Sequence, residues 1–468
     1  MSHSGTSHGT TGAAPRGAAG AAATTVAALL AVVLAPPAAP EPGPVDGDDW
    51  IELSLDEAQR ASVATSAAQQ RRASPPGPQR PATGEVSVPE GLITFPAREL
   101  PHATEALGVA VEPGPGAGSA RATPDAEDAE LLVEARGARR DGGWSEWRSV
   151  PPERAVTPDG GMVTLPLRSE RVQVRLAVDV DVTDVEGGSA QVSAVRIRPE
   201  PEDEAEGRGE SVEAEPEHRS PYSARLFATR IGLVGATTAN GHTVGSEDYF
   251  VALPSRRGLA ERNSGNYTVR VCAESTQRCI YVPVWDVGPW NISDDHWNLD
   301  RENWVDLPRG LPQAQAAYLD DYNGGQDGFG RTVRNPAGID LADGAFRTGL
   351  DLPTNSWVDV DYLWTGDYQH RGEVRTESRS DPVVLRSAAD LSADDVGRAA
   401  HSAHVDIECR TTGTSVRGPD GVSTLWYRIG PDNYLPATFV DLVPADSERD
   451  PDPEADPDDL RIADCEQE

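Results

Sequence analysis

From Val172 to Val182 every second residue is a branched aliphatic: Val172, Val174, Leu176, Val178, Val180 and Val182. The residues between them are polar except Ala177. A period of two lines one face of a strand with apolar side chains and leaves the other wet. Shorter stretches of the same character follow along the chain, at Val192-x-Ala194-Val195-x-Ile197 and from Trp357 to Trp364. They are punctuated by an ample supply of turn formers, 45 Gly and 39 Pro. One stretch, Pro312 to Tyr322, reads as a helix, closed by Gly324 and Gly325. The chain is therefore expected to be mostly β. Its 468 residues exceed the roughly 250–300 that one core accommodates, so several β domains are expected.

Charge narrows the function classes. There are 41 basic and 76 acidic residues, 41 − 76 = −35, and every basic residue is Arg. Such a balance excludes a nucleic-acid binder that works by neutralising phosphates. It also argues against an anionic membrane surface as partner.

Low-complexity stretches divide the chain. Residues 1–39 read as a signal peptide: Arg16, an uncharged run centred on Val26 to Leu34, then Pro36 and Pro37 with small residues to Ala39. The other reading of that run is an uncleaved anchor, since it approaches spanning length. No later segment has the length and apolarity to cross a membrane. Residues 40–84 are an Ala/Pro-rich stretch expected to be disordered, 85–199 a β-sandwich, and 200–220 an acidic linker. Residues 221–366 form the most informative region, with six of the ten Trp. Residues 367–404 are polar, a linker or the start of the last module, and 405–468 form that module with an acidic tail.

Four cysteines allow three pairings. Cys272 and Cys279 sit on the two arms of a strand–turn–strand pattern, so local spacing favours 272–279 with 409–465. Neither spacing suits zinc, which favours C-x2–4-C pairs. Structural disulfides, and thus an oxidising compartment, are the reading. No cofactor or metal site is expected.

The motif Gly143-Trp144-Ser145-Glu146-Trp147 resembles an element of β-sandwich modules that precede catalytic domains in some actinobacterial cell-wall amidases. Trp144 and Trp147 then either stack on sugar or pack the sandwich. In the central region four motifs follow in order: Thr238-Ala239-Asn240-Gly241, Ala252-Leu253-Pro254, Asp286-Val287-Gly288-Pro289-Trp290 and Ile339-Asp340-Leu341-Ala342 running to Ala345-Phe346. This order resembles the six-stranded double-psi β-barrel of the rare-lipoprotein-A and expansin type. The run from Cys409 to Val440 resembles the closing strands of a bacterial SH3 domain, a module that in its family tethers secreted enzymes to wall peptides.

The resemblance implies a site. Acids at the positions of Asp286 and Asp340 lie in the sugar groove of related barrels, where one moves a proton around a glycosidic bond. The other roles open to them are an Asx-type turn bond for Asp286 and a helix N-cap for Asp340. Trp285, Trp290 and Trp297 are the expected sugar platforms, and Thr238 and His242 of the motif turn are expected ligand contacts. His242 replaces the acid that lipoprotein-A enzymes carry, and Ser255, Arg256 and Arg257 stand where a His is expected. Asp294-Asp295-His296 reads as a solvated polar turn. The function expected is that of a secreted cell-envelope protein binding or remodelling peptidoglycan or another wall polysaccharide without strong hydrolysis. The alternatives are an active lytic transglycosylase or glycosidase using Asp286, and a non-catalytic structural or protein-binding envelope factor.

Overall fold

The computed structural model describes residues 50–55, 86–88, 92–113, 130–157, 159–179, 190–200, 219–443 and 461–465. The expected signal peptide, most of the Ala/Pro-rich stretch and nearly all of both acidic stretches lie outside the described residues. Eight strands form the N-terminal sheet: β1 (Ile51–Leu53), β2 (Val86–Val88), β3 (Leu92–Thr94), β4 (Arg98–Pro113), β5 (Glu130–Gly137), β6 (Arg148–Val150), β7 (Gly161–Asp179) and β8 (Ala190–Pro199). They belong to one hydrogen-bonded sheet of order β1-β8-β4-β7-β5-β6, with β2 also on β8 and β3 on β7. The alternating run falls in β7. Val172, Val174 and Leu176 are fully buried against Leu107, Val109, Val133 and Ile197. Ile51–Leu53, inside the stretch expected to be linker, instead pairs antiparallel with Val195–Ile197.

Six strands then close into a barrel: β9 (Tyr222–Arg230), β10 (Val251–Leu253), β11 (Thr268–Ala273), β12 (Arg278–Val287), β13 (Ala337–Leu341) and β14 (Ser356–Tyr362). The circuit runs β9-β14-β11-β12-β10-β13 and back to β9. The pairs β13–β9 and β10–β12 are parallel, the others antiparallel. Closure leaves no open edge along this circuit. Val269, Val271, Val282, Val284, Ile339 and Leu341 are buried in its core.

The connection from β12 to β13 carries the expected helix, observed at Gln313–Asp320. It also carries Asp294, Asp295 and His296, all 0% exposed, so the expected solvated turn is a buried anchor. Asp294 binds Arg301 and the Gln313 backbone N–H (2.6 Å). Asp295 binds Arg257 and the Glu302 N–H (2.8 Å). Asp294 N–H donates to Pro254 O at 2.6 Å. Arg257 and Gln313 lie 38 and 19 residues away in sequence, which is why the run looks solvated when read alone.

The C-terminal strands are β15 (Arg371–Val374), β16 (Val383–Arg386), β17 (Asp395–Ala399), β18 (His404–Asp406), β19 (Cys409–Gly418), β20 (Gly421–Arg428), β21 (Tyr434–Pro436) and β22 (Val440–Val443). β17 runs parallel beside Cys279–Tyr281 of β12 and extends the barrel sheet through β16, β21, β20 and β19. β18-β15-β22 form a separate three-stranded sheet. Residues 367–404 thus carry three short strands and the start of a fourth. The disulfides are Cys272–Cys279, across the β11/β12 pair, and Cys409–Cys465.

A stack of alternating guanidinium and indole groups keys the N-terminal sheet onto the barrel. Arg171 and Arg136 flank Trp144 at 5.3 and 4.6 Å from its ring centroid. Arg136 and Arg175 flank Trp147 at 4.2 and 4.1 Å. Both tryptophans therefore pack within the protein, and Trp147 has no exposed face. Arg175 donates to Leu259 O and Arg256 O and pairs with Glu134 at 2.7 Å. Arg136 donates to Glu261 at 2.6 Å. In the other direction the Glu146 carboxylate accepts from Trp297 Nε1, Trp364 Nε1 and Asn298 Nδ2 at 2.7, 2.8 and 2.6 Å.

Burial works against ionised Glu134, but Arg175 and Arg256 outweigh it and hold its carboxyl below the usual range. Its contribution is present above the ordinary carboxylate pKa and lost as pH falls through the depressed one. Glu134→Ala leaves Arg175 buried without its carboxylate. We expect a loss of about 3–5 kcal/mol in denaturant unfolding at pH 7.

Candidate active site

Strand register assembles the site. Thr229 of β9 pairs with Asp340 of β13, Asp340 with Ala252 of β10, and Ala252 with Asp286 of β12. Register partners point to the same side of a sheet. The four residues therefore form one row, on the face opposite core residues Ile339 and Leu341. Two strand spacings separate the acids, roughly 10 Å between Cα atoms. Ala252, between them, is itself buried at 2% exposure.

Each acid is fixed differently. Asp286 Oδ1 accepts the backbone N–H of Ala239 and of Val287, both at 2.9 Å. Asp340 accepts the Thr229 hydroxyl. It lies within β13, not at a helix start, so the N-cap role does not apply. Burial raises the Asp286 carboxyl above its ordinary value, against the two N–H donors. Burial pushes Asp340 up to about 6; the Thr229 hydroxyl opposes this and the Asp286 charge adds to it. The Asp286 charge thus reaches Asp340 across Ala252.

The motif turn sits over Asp286. Thr238 and His242 are bridged by the turn itself: Thr238 N–H donates to His242 O (2.8 Å), and His242 N–H donates to Thr238 Oγ1 (3.1 Å). The His242 ring is buried, with Nε2 2.7 Å from Asp248 Oδ2 and its centroid 5.0 Å from that of Trp285. Thr238 and His242 thus support the turn that delivers Ala239 N–H to Asp286.

The tryptophans divide. Trp285 is 3% exposed and donates from Nε1 to Ser264 O at 2.9 Å. Trp297 is 0% exposed, stacked on Tyr362 with centroids 5.0 Å apart. Neither presents a ring face to a sugar, which corrects the expectation of platforms there. Core packing claims both rings, a role that alternation in sequence does not distinguish from groove lining. Trp290 is half-buried against Ala314, Ala317 and Val333, with Nε1 on Asn335 Oδ1 at 3.0 Å. Sequence reading missed Thr229, Ala252 and Ala239. Ala239 and Ala252 lie within quoted motifs, but only strand register and the turn contact give any of the three a role. Among the described residues, no group of three or more His, Cys, Asp and Glu is placed to hold a metal ion.

A family model described as a domain of unknown function (DUF8814) matches residues 222–361. The match runs from the first residue of β9 to the penultimate residue of β14, the span of the barrel. No curated protein and no solved structure matches the chain.

A carboxyl raised to about 6 favours folding while protonated, and that contribution is lost as pH rises from the ordinary carboxylate range through about 6. Asp340→Asn keeps an acceptor for Thr229 without the charge. The variant should melt higher than wild type at pH 7.5, with the difference shrinking towards pH 4.5. An unchanged or lower melting temperature at pH 7.5 would count against a desolvated Asp340.

Proposed function

We propose that this is a secreted cell-envelope protein whose barrel, of the double-psi rare-lipoprotein-A and expansin type, binds or remodels wall glycan at the Asp340–Ala252–Asp286 row. The C-terminal strands then act as an SH3-like module. The observation that carries the reading is the pair of desolvated carboxyls flanking one alanine on a single barrel face. A carboxyl that keeps its proton donates a hydrogen bond to a sugar oxygen, and an ionised one accepts from a hydroxyl. Trp290 is the remaining platform candidate. The four-motif order across the barrel supports the family reading.

A second reading has one observation in its favour. Asp340 holds its proton up to about pH 6, the state needed to protonate a glycosidic oxygen. A lytic transglycosylase needs a single such acid, because the sugar's own hydroxyl displaces the leaving group. Asp340 would then carry the proton and Asp286 would hold the partner charge.

Incubation with purified peptidoglycan separates these readings. The binding reading predicts retention in the pellet with no soluble fragments, and at least about fivefold weaker retention for Asp286→Asn. The transglycosylase reading predicts anhydro-sugar fragments from wild type and none from Asp340→Asn. Neither retention nor fragments would remove glycan and leave a structural or protein-binding role. With a net charge of −35, retention on an anionic wall should not fall as salt rises.

A further inference from the structure

Strand register places an aromatic pair on the barrel face that carries the acid row. Along β9, Leu226 and Ala228 are fully buried in the core, so Arg225, Phe227 and Thr229 point together to the opposite side. Phe227 stands two residues before Thr229, roughly 7 Å along the strand. Its register partner across the antiparallel pair with β14 is Trp357. Partners lie on one side of the sheet, and the next residue of β14, Val358, is in the core. The Phe227 and Trp357 rings pack edge to face, with centroids 5.5 Å apart and planes at 73°. Asp340 lies one strand over from Thr229. One strand spacing and two residues therefore separate it from Phe227, about 8 Å between Cα atoms.

Both rings are half-buried, and neither is part of the hydrophobic core. The indole nitrogens sharpen the contrast with the buried tryptophans. Trp285, Trp290, Trp297 and Trp364 each donate Nε1–H to an acceptor within the protein. Trp357 Nε1 has no acceptor among the described residues. Arg225 sets its guanidinium 5.8 Å from the Trp357 ring centroid and lies 3.7 Å from exposed Glu274. Edge-to-face packing uses the edge of one ring and one face of the other, which leaves ring faces for a further partner. A pyranose has an apolar C–H face and a hydroxyl rim. The acid row offers hydrogen-bonding groups for a rim and the aromatic pair offers a platform for a face, the combination that a sugar site needs. Stacking also needs no positive charge, which suits a chain of net charge −35.

We propose that Phe227 and Trp357 form the stacking subsite for the glycan whose hydroxyls the Asp340–Asp286 row engages, with the Trp357 N–H donating to a sugar oxygen. The proposal rests on the glycan reading and adds a direction to it. The glycan crosses the strands, from β12 over β10 and β13 to the aromatic pair on β9 and β14.

The test titrates the full protein with a soluble peptidoglycan tetrasaccharide, read by calorimetry and by the indole N–H resonances in a proton–nitrogen NMR spectrum. Trp357→Phe identifies the Trp357 peak by removing it. That peak should shift as the sugar is added, while the internally bonded Trp285 and Trp297 peaks hold still. Trp357→Ala and Phe227→Ala should each weaken binding about tenfold. Trp357→Phe keeps a ring to stack on and should lose less. Wild-type affinity in both alanine variants, with an unmoved Trp357 peak, overturns the subsite and leaves the glycan reading standing. No binding of the tetrasaccharide by wild type removes the glycan reading and the subsite with it. Should an alanine variant fail to fold, the Trp357 peak of wild type decides alone: a shift keeps the subsite and none removes it.

Discussion

Three buried charges, Arg136, Arg175 and Glu146, hold the N-terminal sheet against the barrel, and the site depends on them through a short chain of bonds. Arg175 grips the carbonyls of Arg256 and Leu259. The next residue, Ala260, donates its N–H to Val284 O of β12 and accepts from Asn240 Nδ2. Asn240 belongs to the turn that sets Ala239 N–H on Asp286. Glu146 ties Trp297 and Trp364 to the same sheet. Buried charges stabilise only when every partner is present. This interface therefore fixes geometry more than it adds stability, and the geometry it fixes is that of the segment following β10, the strand between the two acids.

The barrel adds what a single sheet cannot. Closing the circuit brings β13 and β12 to either side of a three-residue strand, so acids 54 positions apart in sequence (340 − 286) become neighbours across one alanine. Desolvation then acts on both carboxyls at once. The parallel pairings on either side of the antiparallel β10–β13 pair are what set this register, and Thr229 extends the row by one more strand.

Much of the fold was legible, because strands announce themselves by period and turns by Gly and Pro. The alternation at Val172 to Leu176 marks a buried face that the structure realises. The two disulfides follow from hairpin spacing and from elimination. The four motifs fall within the span of the barrel. What escaped depends on partners remote in sequence. Trp285 and Trp297 look like groove residues until Ser264 O, Tyr362 and Glu146 occupy them. Asp294 to His296 looks solvated until Arg301, Arg257 and the N–H of Gln313 close around it. Strands β15 to β18 are three to five residues long and take their core from the barrel, so each is too short for a period to signal it. The pairing of Asp286 with Asp340 through Ala252 required register, which no motif encodes.

The most direct test of the central claim is a carboxyl carbon NMR titration of Asp286 and Asp340 with and without a peptidoglycan oligosaccharide. The account predicts coupled titrations, with an apparent pKa near 6 for the Asp340 step and a shift of both curves when the oligosaccharide is present. Two independent titrations near 4, unmoved by the glycan, would contradict both the desolvated pair and its role in binding.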